Sequence, residues 1–130
     1  MGGTKGSHLV TWNRRLHEAL GSDGVYAEAY GGRPVFVLPF VDGATLIGTT
    51  DERFEGDPSN VAATPSDVAW LLHETRRLLP GAGAFESHIW YSYAGVRALP
   101  FRTGGSTGAI TRKHIVHAHP NASGLFSVIG

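Results

Sequence analysis

Thr64-Pro-Ser-Asp-Val-Ala-Trp-Leu-Leu-His-Glu-Thr-Arg-Arg-Leu-Leu-Pro80-Gly81 is the stretch that decides the fold class. Thr64 suits a helix cap, Pro65 suits the first helical position, and the carboxylate of Asp67 favours the positive end of the helix. Val68, Leu71, Leu72, Thr75, Leu78 and Leu79 then fall on one face at helical spacing. Arg76 and Arg77 complement the C-terminal end, and Pro80-Gly81 stops the run. A helix from Pro65 to Leu79 must bury its leucine face on something. The clearer segments around it are strand-like, so a sheet is the surface expected.

On the N-terminal side, Lys5 to Trp12 reads as a first strand. Asn13 to Asp23 is either a short helical turn around Leu16 and Leu20 or a polar excursion, and Gly21-Ser-Asp-Gly24 is a turn. Val25 to Tyr30, Pro34 to Phe40 and Ala44 to Thr50 are strand-like and separated by Gly31-Gly32-Arg33 and Val41-Asp42-Gly43. Those spacings suit hairpins, so an antiparallel meander is expected. On the C-terminal side, Ser87 to Leu99 and Gly108 to Ala118 read as two long strands, and Leu125 to Ile129 as a last one. The fold class expected is α+β, a largely antiparallel sheet with a helix packed on one face, in one domain over residues 1–130.

The 130 residues are 42% hydrophobic, enough for a real core. Eleven basic side chains balance eleven acidic ones, so there is no electrostatic footprint for nucleic acid or an acidic membrane. The absence of cysteine excludes a disulfide scaffold, a thiolate metal site and a cysteine nucleophile. No window approaches the roughly 18 apolar residues of a transmembrane segment. The first residues lack the apolar stretch of a signal peptide, so a cytoplasmic location is expected.

Few residue patterns carry chemistry. His114, His117 and His119 are close in sequence, yet strand alternation separates His114 from the other two, so no metal site is expected. Gly104-Gly-Ser-Thr-Gly108 lacks the Gly-Lys-Ser/Thr ending of a phosphate loop, and Gly81-Ala-Gly83 lacks the third glycine of a dinucleotide fingerprint. No Gly-x-Ser-x-Gly elbow exists either. Nothing here binds a nucleotide cofactor unaided. Arg97 and Arg112, each inside a strand-like segment, suit a phosphate or carboxylate receptor if their forks meet; otherwise they are solvent-facing arginines. Thr49-Thr50-Asp51 is a fitting partner set, or simply a capped turn.

Five segments appear in order: Lys5-Gly-Ser-His8; Ile47-Gly-Thr-Thr-Asp51 with Gly56-Asp-Pro58; Tyr93-Ala-Gly-Val-Arg97-Ala-Leu-Pro100; Ala109-Ile-Thr-Arg112; and Phe126-Ser-Val-Ile-Gly130. Together they resemble the FAD-dependent (respiratory) glycerol-3-phosphate dehydrogenases over nearly the entire chain. The matching part is the substrate-binding, or cap, region, which that family inserts between pieces of a flavin-binding Rossmann domain. The family's Gly-x-Gly-x-x-Gly segment is missing, and Ala98 stands where the family often has proline. The chain stops at Gly130, where relatives continue with a second glycine and a lysine, so it reads as a piece of a larger flavoenzyme.

The resemblance implies oxidation of sn-glycerol 3-phosphate to dihydroxyacetone phosphate, with hydride passing to FAD and electrons onward to a membrane quinone. It implies that Arg97 and Arg112 hold the phosphate or steady the reacting hydroxyl. Thr49 or Thr50, with Asp51, lines the same pocket. His8 receives no catalytic role, and the catalytic base is left open. FAD is expected in the full-length protein, peripheral on the inner membrane, and not in this stretch, which alone is expected to be inactive. Two competitors stand beside this reading: the cap of a related flavoprotein oxidase, and a stand-alone anion-binding or interaction module without catalysis.

Overall fold

In the computed structural model, which describes residues 2–100, 104–111 and 113–129, the capping signals around Thr64 open a helix with 14 residues, α2 (Pro65–Leu78). (Its companion α1 lies earlier in the chain.) The Thr64 hydroxyl oxygen accepts from the Asp67 N–H at 3.2 Å, and the Asp67 carboxylate accepts from the Thr64 N–H at 2.7 Å. Leu71 and Leu72 are buried and meet Leu9, Val35, Val37 and Ile47 in one core. Leu78 departs from expectation: like Val68 and Leu79 it is only half-buried. After Leu79 the chain enters a 3₁₀ turn over Pro80–Ala82, and Ala82 and Ala84 take core positions instead.

β1 (Gly2–Thr11) runs through the middle of the sheet. β2 (Val25–Glu28), β3 (Pro34–Pro39) and β4 (Thr45–Gly48) form the expected meander, with Gly31 and Gly32 at positive φ in its first turn. β4 pairs with the second half of β1, and β5 (Glu52–Phe54) with the first half, both along one edge. β6 (Ile89–Leu99) follows the other edge along nearly its whole length. Every pairing is antiparallel, so the α+β expectation holds.

Between β1 and β2 the helical reading is the right one: α1 (Arg14–Leu20) buries Leu16 and Leu20. Asn13 caps it, accepting from the Leu16 N–H at 3.2 Å, and donates from its amide to the Ala82 and Gly83 carbonyls.

Among the described residues, the long strand expected from Gly108 to Ala118 is not formed. Gly104 and Gly105 take φ values of +70° and +75°, a 3₁₀ turn follows over Thr107–Ala109, and pairing starts only at β7 (Ile115–Ala118). Two successive turns leave no extended run for a ladder, and Arg53 pins the first by donating to the Gly104 and Gly105 carbonyls at 2.6 and 3.1 Å. β7 pairs with β8 (Phe126–Ile129) in a separate two-stranded sheet.

Strand alternation gives β1 two different faces. Lys5, Ser7 and Leu9 point toward α2, and Thr4, Gly6, His8 and Val10 share the other face with Arg97, Gly95, Tyr93 and Tyr91 of β6. On the helix side Lys5 Nζ donates to Asp67 Oδ2 at 2.6 Å, and Ser7 Oγ donates to the same oxygen at 3.0 Å. Burial pulls the Lys5 pKa down, but hydrogen bonds to Asp67 and Glu52 outweigh it and raise the value above 10.5. Burial pushes Asp67 up, but hydrogen bonds from Lys5, Thr64 and Ser7 outweigh it and hold the carboxyl below 3.8.

Asp67 therefore contributes stability that is present above pH 3.8 and lost as pH falls through its lower folded value. The contribution of Lys5 is complete below pH 10.5 and lost as pH rises through its higher folded value. Asp67→Ala leaves the buried Lys5 ammonium with only the more exposed Glu52, at 3.3 Å, and is expected to cost up to about 3–5 kcal/mol in urea unfolding at neutral pH, with the deficit shrinking in strong acid. An unchanged midpoint would make the pair dispensable. Leu72→Ala empties a core position and is expected to cost about 2–5 kcal/mol, read in thermal unfolding. An unmoved melting temperature would place α2 outside the core.

Candidate functional site

Arg97 lies opposite Thr4 in the β1–β6 register, on the face that α2 does not cover. Its guanidinium reaches back across β1 toward the connection between β4 and β5. Nη1 donates to Asp51 Oδ1 at 3.3 Å and to Thr4 Oγ1 at 3.4 Å. Nη2 donates to Thr49 Oγ1 at 3.0 Å and to the Thr50 carbonyl at 3.3 Å. Arg97, Thr49 and Asp51 line a cleft of about 570 Å³, whose other walls come from β5, from the β2–β3 turn with Arg33 and from the Gly105–Gly108 loop.

Of the five site residues expected from sequence, Arg97, Thr49 and Asp51 gather in this cleft. Thr50 is buried behind the cleft: its carbonyl accepts from Arg97, and its hydroxyl accepts from the Ser7 N–H at 2.9 Å in the interior. Arg112 lies outside the described residues. A different second arginine lines the cleft. Arg53 on β5 is also opposite Thr4, on the face of Arg97, and ties down the glycine loop. The signal for it was present in the sequence: Thr49, Asp51 and Arg53 alternate at every second position. With Arg33, three arginines line the cleft among the described residues, against Asp51 and a Glu52 that pairs with Lys5, so the cleft favours an anion.

His8 stands on the same face, stacked on Tyr93 with ring centroids 4.8 Å apart and tilted against Phe36 at 5.7 Å. Burial, and then the positive charge of Arg97, lower its pKa below 6.5. The imidazole is therefore neutral at physiological pH. Its Nδ1 is buried with no hydrogen-bond partner among the described residues. Elsewhere, His117 and His119 meet edge-on at 5.1 Å, and His119 Nε2 bonds Ser127 Oγ at 2.8 Å. Among the described residues no three metal-ligating side chains converge. No helix among them is long and apolar enough to cross a membrane.

Because repulsion from Arg97 is one of its two causes, the His8 shift is expected to shrink in Arg97→Ala. In an NMR titration the His8 midpoint should lie below 6.5 in the parent and move upward in the variant. A midpoint that does not move would separate the two residues electrostatically.

A family model described as FAD dependent oxidoreductase matches residues 1–130. The glycerol-3-phosphate dehydrogenase of Synechocystis sp. is 38% identical over 133 residues, covering 100% of this chain and 23% of that protein. The aerobic glycerol-3-phosphate dehydrogenase of Escherichia coli is 32% identical over 128 residues, covering 97% of this chain and 25% of that protein. Among solved structures, the glycerol-3-phosphate dehydrogenase from Bacillus halodurans complexed with FAD superposes with a TM-score of 0.65. It is 29% identical and covers 74% of this chain and 19% of that one. The chain thus spans about a quarter of the length of these curated relatives. Its sequence over the full 130 residues, and its fold, make it a member of the FAD dependent oxidoreductase family.

Proposed function

We propose that residues 1–130 are the substrate-binding domain of an FAD-dependent dehydrogenase that oxidises sn-glycerol 3-phosphate to dihydroxyacetone phosphate. The names of the relatives support that substrate, and the observation that carries the reading is the Arg97 cleft. A guanidinium held by Thr49, Thr4 and Asp51 on an open sheet face is a receptor for an oxyanion or a developing alkoxide. We further propose that the whole enzyme works on the cytoplasmic side, peripheral to the inner membrane, and passes electrons to quinone.

The residues of this chain fit one end of the flavin and not the other. Beside Arg97, a Cβ at Gly95 would meet nothing within 4 Å, which leaves room for a flat ring against the sheet. The glycines at 81, 83, 104 and 105 belong to turns and open no α-helix, so the cofactor's diphosphate would be held by other parts of the protein. When bound, the flavin accepts the hydride released from the carbinol carbon.

The chain's own residues then hold the substrate and its proton. Arg97 and Thr49 grip an oxygen of the substrate, and remote binding energy orients the reacting carbon. Arg53 keeps the glycine loop in place as a cleft wall. His8, neutral on the same face as Arg97, is a group able to take the hydroxyl proton as the carbonyl forms. The same reading gives Arg112 a place beside Arg97 on the substrate's phosphate.

In the full-length enzyme, Arg97→Ala removes charge-assisted bonds of about 1.5–3 kcal/mol, so kcat/KM for glycerol 3-phosphate is expected to fall roughly 10- to 150-fold. Parallel assays with glycerol identify the group held: a loss confined to the phosphorylated substrate means the phosphate, and an equal loss means the hydroxyl. Unchanged kcat/KM for both, with full flavin content, would remove Arg97 from the site and defeat the proposal.

A further inference from the structure

We propose that Gly6 is a positioning residue for Arg97, and that its missing side chain is what lets the guanidinium occupy the cleft in the direction substrate binding needs. The inference rests on the reading of Arg97 as a substrate ligand. Arg97 starts opposite Thr4 and crosses above β1 to reach Thr49, and the residue beneath that crossing is Gly6. A Cβ on Gly6 would lie 2.7 Å from Arg97 Cζ and 2.7 Å from Thr49 Oγ1, and closer still to Arg97 Nη2. One methyl group would therefore strike both ends of the same hydrogen bond, the 3.0 Å contact from Nη2 to Thr49 Oγ1.

The backbone gives no other reason for glycine here. Gly6 sits inside the extended β1, and its φ is not among the positive ones, so alanine can adopt the same conformation. Nor can the strand easily retreat. Lys5 and Ser7 on either side both bond Asp67 from below, and the Ser7 N–H bonds Thr50 Oγ1. With the strand anchored on its far face, the part that yields is the tip of the long, flexible arginine. The structure thus assigns Gly6 to the site through Arg97, with no substrate contact of its own.

The test uses the flavin-loaded full-length enzyme. In Gly6→Ala, kcat/KM for glycerol 3-phosphate is expected to fall on the order of 10²-fold, the scale for a misplaced binding group. Gly6→Ala combined with Arg97→Ala is expected to be no worse than Arg97→Ala alone, because both changes remove one function. Millimolar guanidinium ion gives a readout that a purely structural glycine would not move. It should partly restore Arg97→Ala, whose seat over Gly6 is empty, and fail to restore the double variant, whose seat holds a methyl. The double variant lacks the clashing guanidinium and keeps only the contact with the Thr49 hydroxyl, which a turn of that side chain relieves, so this comparison survives even where Gly6→Ala alone does not fold. Multiplying losses, or equal rescue of both variants, would overturn the role of Gly6. Full activity in Arg97→Ala would overturn instead the reading beneath it, and the inference with it.

Discussion

Lys5 points its ammonium into the helix side of the sheet, 2.6 Å from Asp67 Oδ2, at a depth where an unanswered charge costs several kcal/mol. The same carboxylate oxygen accepts from Ser7 Oγ and from both the N–H and the hydroxyl of Thr64. Helix cap and central strand are therefore joined at one atom, and Lys5 extends the connection to β5 through its 3.3 Å contact with Glu52. The pair does more than hold elements together. A slip of β1 by one residue would turn Lys5 to the open face and set Gly6 under the helix, losing the bonds of Lys5 and Ser7 to Asp67 and of Lys5 to Glu52. Electrostatics thus specifies the phase of β1, which aliphatic packing from Leu9 alone would specify less sharply.

With that phase set, the open face follows. Residues 5 and 7 are anchored downward, so 4, 6 and 8 must face away from α2. Thr4 becomes a partner of Arg97, Gly6 a clear crossing beneath it, and His8 a ring stacked between Phe36 and Tyr93. Burial keeps that imidazole neutral, and the charge of Arg97 adds to the effect. A protonated His8 would oppose the arginine and compete with it for an anion. Keeping it neutral leaves the positive charge of this face to arginine and His8 as a group able to receive a proton.

What could be read from sequence was mostly local. The helix start was legible because cap, proline and acid lie within four residues, and the meander because Gly31-Gly32 marks its first turn. Arg97 drew notice because an arginine in a strand needs an explanation. The failures share a cause in distance along the chain. Lys5 and Asp67 are 62 positions apart, so nothing near Lys5 announces a buried ion pair. Arg53 reaches the glycine loop 51 positions away, and nothing near Arg53 in the sequence announces that contact. Leu78 fits the helical stripe, but periodicity does not say where the sheet beneath stops offering a partner.

The two cations of β1's neighbourhood are solvated by the protein in opposite ways, and the contrast bears on the proposed role. Lys5 meets a carboxylate at 2.6 Å, with both side chains almost wholly removed from water. Arg97 makes four bonds of 3.0 to 3.4 Å, longer than the roughly 2.7–2.9 Å of a tight charge-assisted bond, and its side chain is 29% exposed. Asp51 approaches it through one oxygen at 3.3 Å, not as a bidentate clamp. Lys5 is neutralised; Arg97 is aimed. Several long bonds to neutral oxygens fix the direction of a guanidinium while leaving much of its charge uncompensated. An incoming oxyanion in the cleft would exchange one of these long bonds for a short charge-assisted one, from donors oriented before it arrives.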